Sequence, residues 1–246
     1  MTDNKIKQIS IKKLLLFVFA PALLILGTYS WAVQFRAAVP PFLSFMIIIL
    51  VVLIPSEIGI ILYHSKKETG KFNFQSAFIM HEKIPVIKII GISIILMIFA
   101  AMIFTFISPI ESSITIKSIY SGIPEYFKLA DFFQNYGNYP GGIVMASMVL
   151  YAVANGLLGP IAEELYFRGF LMPRINRFGN WTPIIITILF SAYHLFSPWE
   201  FVTRVLACLP FVYCVYKKKN IYIGMTVHCM INMVSVIINV VNMLAV

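Results

Sequence analysis

Two adjacent acidic residues, Glu163 and Glu164, stand in an otherwise apolar part of the sequence, and Arg168 follows them closely. On a helix, Glu164 and Arg168 are four residues apart and share a face within reach of a salt bridge. The helical step turns Glu163 about 100° away from Glu164, and Glu163 has no partner in its own segment. The spacing therefore predicts one structural acid, Glu164, and one acid free for proton transfer, Glu163. The alternative is that both acids are interfacial residues at a helix end.

Two histidines follow in later segments, and each lies one helical turn from a second notable side chain. Phe190 precedes His194, where its ring can fix the imidazole and exclude water around it. His228 precedes Asn232, so one helix face offers an imidazole and a carboxamide as donors for one developing negative charge. Each pair alone is also typical of packing residues that join helices. Together with the acids, they are the parts needed to activate a water and stabilise an oxyanion in amide hydrolysis.

Gly159-Pro160 lies just before the two acids. A proline inside a helix removes one hydrogen bond and pushes on the carbonyl four residues back, which is that of Gly156. Broken helices at membrane depth occur where they line protein or a wet cavity. The sequence therefore predicts a kink, and space for a cavity, beside the acids.

The composition identifies the kind of protein that positions these residues. Apolar residues of the AVILMFWYC set make up 60% of the 246 residues, charged residues make up 12%, and the mean hydropathy is +0.88. Soluble proteins have about 25% charged residues, so the composition excludes a soluble globular protein and predicts a polytopic membrane protein. The net charge of +9 does not indicate nucleic-acid binding, because the basic residues lie between apolar stretches.

A membrane helix needs about 20 mostly apolar residues, and seven runs of roughly this length occur in the sequence. We expect an all-α fold with about seven transmembrane helices and possibly eight. We expect residues 1–246 to form a single membrane domain. The predicted spans are Leu14–Val33, Phe42–Tyr63, Ile84–Ser108, Gly142–Gly169, Trp181–Ser197, Val202–Tyr216 and Ile221–Leu244.

The distribution of Lys and Arg predicts the orientation. Fourteen of the nineteen lie in segments that are cytoplasmic if the N-terminus is cytoplasmic, and four lie in the outer segments. This bias predicts a multi-pass cell-membrane protein with its N-terminus in the cytoplasm. Because Glu163 lies near the cytoplasmic end of its span, we expect a water-filled cavity that opens toward the cytoplasmic leaflet. Glu57 and Lys88 also fall near helix ends, where we expect them to act as anchors.

The three motifs, Glu-Glu-x-x-x-Arg, Phe-x-x-x-His and His-x-x-x-Asn, occur in this order on late membrane helices. This ordered set of motifs resembles that of the CAAX protease and bacteriocin-processing family, also called the Abi family. The family includes the type II CAAX prenyl endopeptidases. The resemblance covers residues 140–235. Each motif alone is degenerate, but the ordered set of three is specific. It implies an intramembrane endopeptidase with its active site in the last four helices.

The resemblance also implies a role for each matching residue. Glu163 is the general base that activates water, and His194 assists it. Glu164 and Arg168 form a supporting ion pair. Phe190 supports the site from the same helical face as His194. The reasoning from charge alone assigns the same division between the two acids.

His228 and Asn232 are implied as the groups that stabilise the tetrahedral oxyanion. The favoured mechanism uses no cofactor, but a zinc-dependent version stays open. Glu163, His194 and His228 supply one carboxylate and two imidazoles, a ligand set that catalytic zinc sites use with a fourth position open for water. Against zinc, the sequence has no HExxH motif.

Two other classes of function remain. A transporter could use the same residues as a proton relay, although such folds often show two related halves, and here the motifs crowd into one half. A non-catalytic protein, such as a bacteriocin-immunity factor, could bind a membrane partner. For the protease, we expect the lipid bilayer and a membrane-associated or prenylated peptide or protein as partners, and no nucleic acid.

Overall fold

The computed structural model describes residues 6–245, and every regular element in this range is helical. The only extended pairing there is a single bridge between His81 and Asn220. The all-α fold is therefore confirmed. The main helices are α1 (Ile11–Phe35), α2 (Pro41–Thr69), α3 (Val86–Phe106), α4 (Ser108–Ser118), α5 (141–171), α6 (Thr182–Tyr193), α7 (Phe201–Lys218) and α8 (Ile221–Leu244).

Six helical stretches in the described residues are long and apolar enough to cross a membrane. The fourth of them, Gly141–Tyr193, is 53 residues long and contains the fourth predicted span and most of the fifth. As one straight helix it would measure about 80 Å, far more than the roughly 30 Å of the hydrocarbon core. Non-helical backbone at Ile175 and Gly179 divides it into α5 and α6. The predicted fifth span, Trp181–Ser197, is shorter in the structure, because α6 ends at Tyr193.

Polar residues set the ends of several long helices. The Ser10 Oγ accepts a hydrogen bond from the backbone N–H of Lys13 at the start of α1. Asn220 does the same for Ile223 at the start of α8. Each of these two caps satisfies a backbone N–H group where its helix begins.

The outer surfaces of the helices are apolar. On α3, for example, Ile87, Ile95 and Phe106 are largely exposed. Large apolar patches of this kind are unfavourable in water, because each side chain loses the free energy of burial. The pattern supports a multi-pass protein whose helices face lipid.

One end of the bundle gathers most of the basic segments. There the Gln8 Nε2 donates to the Pro173 carbonyl at 2.9 Å, and the Ile221 N–H donates to the Met80 carbonyl at 2.9 Å. We call this the basic end, formed by residues 6–10 and the connections 70–85, 172–181 and 219–220.

The remaining connections meet at the opposite end of the bundle. The Tyr29 hydroxyl donates to the Phe127 carbonyl at 2.9 Å, and the Thr203 N–H donates to Glu111 Oε2 at 2.7 Å. We call this the opposite end, formed by the connections 36–40, 107–140 and 194–200. The alternation of basic and non-basic connections in the sequence thus corresponds to two physical ends.

A close contact between α5 and the 70–85 connection gives a test of this packing. A Cβ on Gly169 would overlap the Ala77 carbonyl and lie 2.9 Å from the Ile221 Cδ1. We expect Gly169→Ala to destabilise the protein by about 1–3 kcal/mol, which lowers Tm by about 2–10 °C. Thermal unfolding in detergent measures this. The control is Gly27→Ala, where nothing lies within 4 Å; an equal effect of both would contradict the contact.

Candidate active site

The structure brings the three predicted motifs together around the carboxylate of Glu163. His194 Nε2 lies 3.8 Å from Glu163 Oε1, and His228 Nε2 lies 3.8 Å from Glu163 Oε2. The three residues come from α5, the end of α6 and α8. Both distances are too long for a direct hydrogen bond and suit a polar atom that bridges the pair. One carboxylate thus faces two imidazoles.

The second ring nitrogen of each histidine is held by an acceptor. His194 Nδ1 lies 2.7 Å from the Phe190 carbonyl oxygen, and His228 Nδ1 lies 3.0 Å from Glu164 Oε1. A carbonyl oxygen and a carboxylate accept, so Nδ1 carries the proton in both rings. In the neutral form of each ring, the Nε2 lone pair therefore faces Glu163.

Glu164 and Arg168 form the expected ion pair in the interior of the protein. Arg168 Nη1 lies 3.0 Å from Glu164 Oε1, and both side chains are 0% exposed. The contact is an ion pair without the alignment of a hydrogen bond, because the guanidinium nitrogens have no hydrogen-bond partner among the described residues. The Arg168 guanidinium instead lies over the rings of Phe190 and Phe211, at 4.2 and 5.2 Å.

Phe190 connects this ion pair with both histidines. Its ring centroid lies 4.7 Å from that of His194 and 5.7 Å from that of His228, edge-on in both cases. The guanidinium of Arg168 lies over the same ring. Phe190 therefore separates the cation from the imidazoles and restricts the rotation of both rings.

Asn232 lies one turn beyond His228 on α8 and faces an irregular part of α5. The Asn232 Nδ2 donates to the Asn155 carbonyl at 2.8 Å. Asn155 belongs to the π-helical turn Tyr151–Leu158, which precedes Pro160. A π-helical turn interrupts the regular ladder of backbone hydrogen bonds, as expected near this proline. One N–H of the Asn232 amide remains for another acceptor.

A cavity of about 220 Å³ contains this arrangement. Glu163, His194, His228 and Asn232 line it together with Pro160. The sequence prediction of space beside the proline and the acids is thus confirmed.

The direction of the cavity differs from our expectation. Among residues 6–245, its lining includes none from the basic end and extends instead to Ser197, Glu200 and Arg204. Arg204 and the basic end are separated by most of α7, whose 18 residues measure about 27 Å. Glu163 lies nearer the basic end along α5, but the cavity beside its side chain extends toward the opposite end.

Glu57 is buried, so the prediction that it is a helix-end anchor is wrong. Its side chain is 0% exposed, and the Tyr193 hydroxyl donates to Glu57 Oε1 at 3.0 Å. The reason is that α2 continues to Thr69, six residues beyond the predicted end at Tyr63, which places Glu57 deep in the bundle. Lys88, by contrast, is exposed at the start of α3, as an anchor would be.

The residues that could hold zinc are present, but they are not gathered into a metal site. In the described part of the chain, no three His, Cys, Asp or Glu side chains come close enough together to form a metal-binding group. The donor types of Glu163, His194 and His228 suit zinc.

A carboxylate, two imidazoles and a carboxamide around one internal cavity of a helical membrane bundle are the groups that an intramembrane hydrolase requires. Residues 145–234 match a family model described as type II CAAX prenyl endopeptidase Rce1-like. The resemblance to the CAAX protease family found in the sequence is thereby confirmed over these residues, which are similar to a family of membrane proteases. No curated protein and no solved structure matches the chain.

Gly224 allows Glu164 to approach α8 closely and so gives a test of the site's packing. A Cβ on Gly224 would overlap Glu164 Oε2 and lie 3.1 Å from the Val215 side chain. We expect Gly224→Ala to lower the free energy of unfolding by about 1–3 kcal/mol, because the carboxylate must move. Thermal unfolding in detergent measures the loss.

The shorter acid of Glu164→Asp should partly relieve this overlap. We therefore expect the double variant to lose less stability than the sum of the single variants. Gly91→Ala, with nothing within 4 Å, is the control. Strict additivity of the two changes would contradict the contact.

Proposed function

We propose that the protein is an intramembrane endopeptidase that hydrolyses a peptide bond with a water activated by Glu163 and His194. The observation that carries the proposal is the pair of 3.8 Å distances from the Glu163 carboxylate to the Nε2 atoms of His194 and His228. A water between Glu163 and His194 would find an acceptor on each side. This is the geometry that general-base catalysis needs.

The reaction would proceed in two proton transfers. Glu163 takes a proton from the water, His194 orients the water through its Nε2 lone pair, and the oxygen attacks the peptide carbonyl carbon. Glu163 then gives the proton to the leaving amine nitrogen as the C–N bond breaks. The products are a carboxylic acid and an amine, and Glu163 returns to its starting form.

The oxyanion of the tetrahedral intermediate would be stabilised by His228 and Asn232. Glu164 holds Nδ1 of His228 in place, and an Nε2–H of the doubly protonated ring would donate to the oxyanion. The remaining N–H of the Asn232 amide is the second donor. In this mechanism Arg168 holds Glu164 in place and takes no direct part.

The substrate would be a membrane-associated or prenylated peptide or protein, reached within the lipid bilayer. A second, mostly apolar cavity of about 320 Å³ lies between α3 and α8. Its lining residues Phe104, Ile231 and Asn232 also line the cavity that contains Glu163. An apolar segment or chain could occupy it while the attached peptide reaches Glu163.

The zinc-dependent version of the same protease is the second candidate. The observation that favours it is that both Nε2 lone pairs face the Glu163 carboxylate. Glu163, His194 and His228 would hold the ion, which would supply a Lewis acid and a more acidic water. In the version that we favour, no cofactor is required.

Cleavage of a quenched fluorescent membrane-peptide library by detergent-purified protein tests the proposal. We expect wild-type activity to fall by about 10²–10⁴-fold in Glu163→Ala and in His194→Ala, because each loses part of the proton-transfer apparatus. Activity should survive a zinc chelator. Glu125→Ala, at a side chain that is 76% exposed, is the matched control and should behave as wild type.

Other outcomes separate the alternatives. Full activity of Glu163→Ala would contradict the mechanism. Loss on chelation with recovery on zinc would establish the zinc-dependent version. The absence of cleavage by folded wild-type protein would favour a binding or immunity function.

We also propose that the protein lies in the cell membrane with its N-terminus in the cytoplasm. The grouping of basic segments at one end of the bundle supports this orientation, because cytoplasmic loops carry an excess of Lys and Arg. The cavity would then extend from Glu163 toward the outer face, and its substrates would approach from outside the cytoplasm.

Cysteine labelling in intact cells tests this orientation. Cys208, Cys214 and Cys229 are first replaced by alanine, and one new cysteine is introduced at an exposed position. We expect a membrane-impermeant maleimide to label Ser121→Cys directly and Lys218→Cys only after permeabilisation. The reverse pattern would overturn the orientation.

A further inference from the structure

Arg204 is a buried cation in the wall of the catalytic cavity that the mechanism does not use. It lies one turn into α7, is 7% exposed, and lines the cavity together with Glu163 and His194. In the sequence, it is one of the few basic residues outside the segments that we predict to be cytoplasmic. A guanidinium stays charged even when it is buried, so it needs acceptors or a counter-charge.

The partners of Arg204 occupy only part of its guanidinium group. Nη2 donates to Ser197 Oγ at 2.8 Å and lies 3.4 Å from Glu200 Oε2. Nη1 is buried and has no hydrogen-bond partner among the described residues. A buried charged donor without a partner carries a substantial desolvation cost, so an additional acceptor would be favourable.

Two of the acids near Arg204, Glu200 and Glu111, are also engaged with other groups. Glu200 Oε1 accepts a hydrogen bond from the Ser108 hydroxyl, and the Glu200 side chain is 30% exposed. Glu111 accepts hydrogen bonds from the N–H groups of Val202 and Thr203 and so caps the start of α7. The positive charge of Arg204 is therefore only partly balanced.

We propose that Arg204 binds a carboxylate of the peptide substrate and so sets which peptide bond lies at Glu163. The inference rests on the proposed function. Guanidinium and carboxylate groups match as planar, two-pronged partners, and the apolar rings around the cavity strengthen their attraction. The carboxylate is either the C-terminal one or that of an Asp or Glu side chain.

Direct binding of peptides separates this subsite from turnover. The full-length Glu163→Gln protein in detergent is titrated with fluorescent pools of membrane peptides. Two pools share their sequences and differ only in a C-terminal carboxylate or carboxamide. Two further pools differ only in Asp and Glu against Asn and Gln.

We expect one carboxylate pool to bind at least about tenfold more tightly than its neutral counterpart. Arg204→Gln in the same background should remove this preference. Arg204→Lys should retain part of it, because lysine keeps the positive charge but lacks the planar, two-pronged guanidinium group. Ser197→Ala leaves the charge in place but removes the acceptor that holds Nη2 in position, so the guanidinium loses its fixed orientation and the preference should weaken. The Ser197→Ala variant provides the test of the subsite if Arg204→Gln fails to fold. Arg36→Gln, at an exposed arginine of the opposite end, is the control.

Each result has a distinct meaning. A carboxylate preference that survives in Arg204→Gln, equal binding of all pools, or no binding of any pool would overturn the subsite. Cleavage by wild type without a carboxylate preference would leave the protease proposal standing and reject the subsite. An Arg204-dependent preference without any cleavage by wild type would support the subsite as a binding site and reject the protease mechanism.

Discussion

The buried ion pair of Glu164 and Arg168 is the interaction on which the rest of the site depends. Moving two charges from water into the interior of a bundle is expensive, and losing one partner leaves an uncompensated charge at a cost of about 3–5 kcal/mol. The pair is tolerated because Arg168 also lies against aromatic rings and Glu164 also accepts from His228. Through Glu164 the pair joins α5 to α8 and fixes the orientation of one imidazole.

This arrangement explains why two adjacent acids can have different roles. Glu164 is committed to Arg168 and His228, whereas Glu163 faces the cavity and both Nε2 atoms. Behind them, Glu57 and Tyr193 add a buried hydrogen bond next to His194. The site therefore combines a rigid polar layer inside the bundle with one carboxylate that is free to exchange a proton with a water.

The sequence predicts local relations well and long-range ones poorly. The Glu164–Arg168 pair follows from helical spacing, and the π-helical turn before Pro160 follows from the chemistry of proline. Helix ends are less predictable, because hydropathy fades gradually: α2 runs past its expected end and buries Glu57, and α6 stops at Tyr193. The direction of the cavity depends on how α7 packs and on where Arg204 points, which no spacing within a single helix determines.

The most direct test of the division between the two acids compares Glu163→Gln with Glu164→Gln in peptide cleavage and in thermal unfolding. Both substitutions keep the side-chain size and remove the charge. We expect Glu163→Gln to abolish cleavage with little change in Tm, and Glu164→Gln to lower Tm by several degrees, because Arg168 loses its counter-charge. Equal effects on both quantities, or activity that survives in Glu163→Gln, would contradict this division of roles.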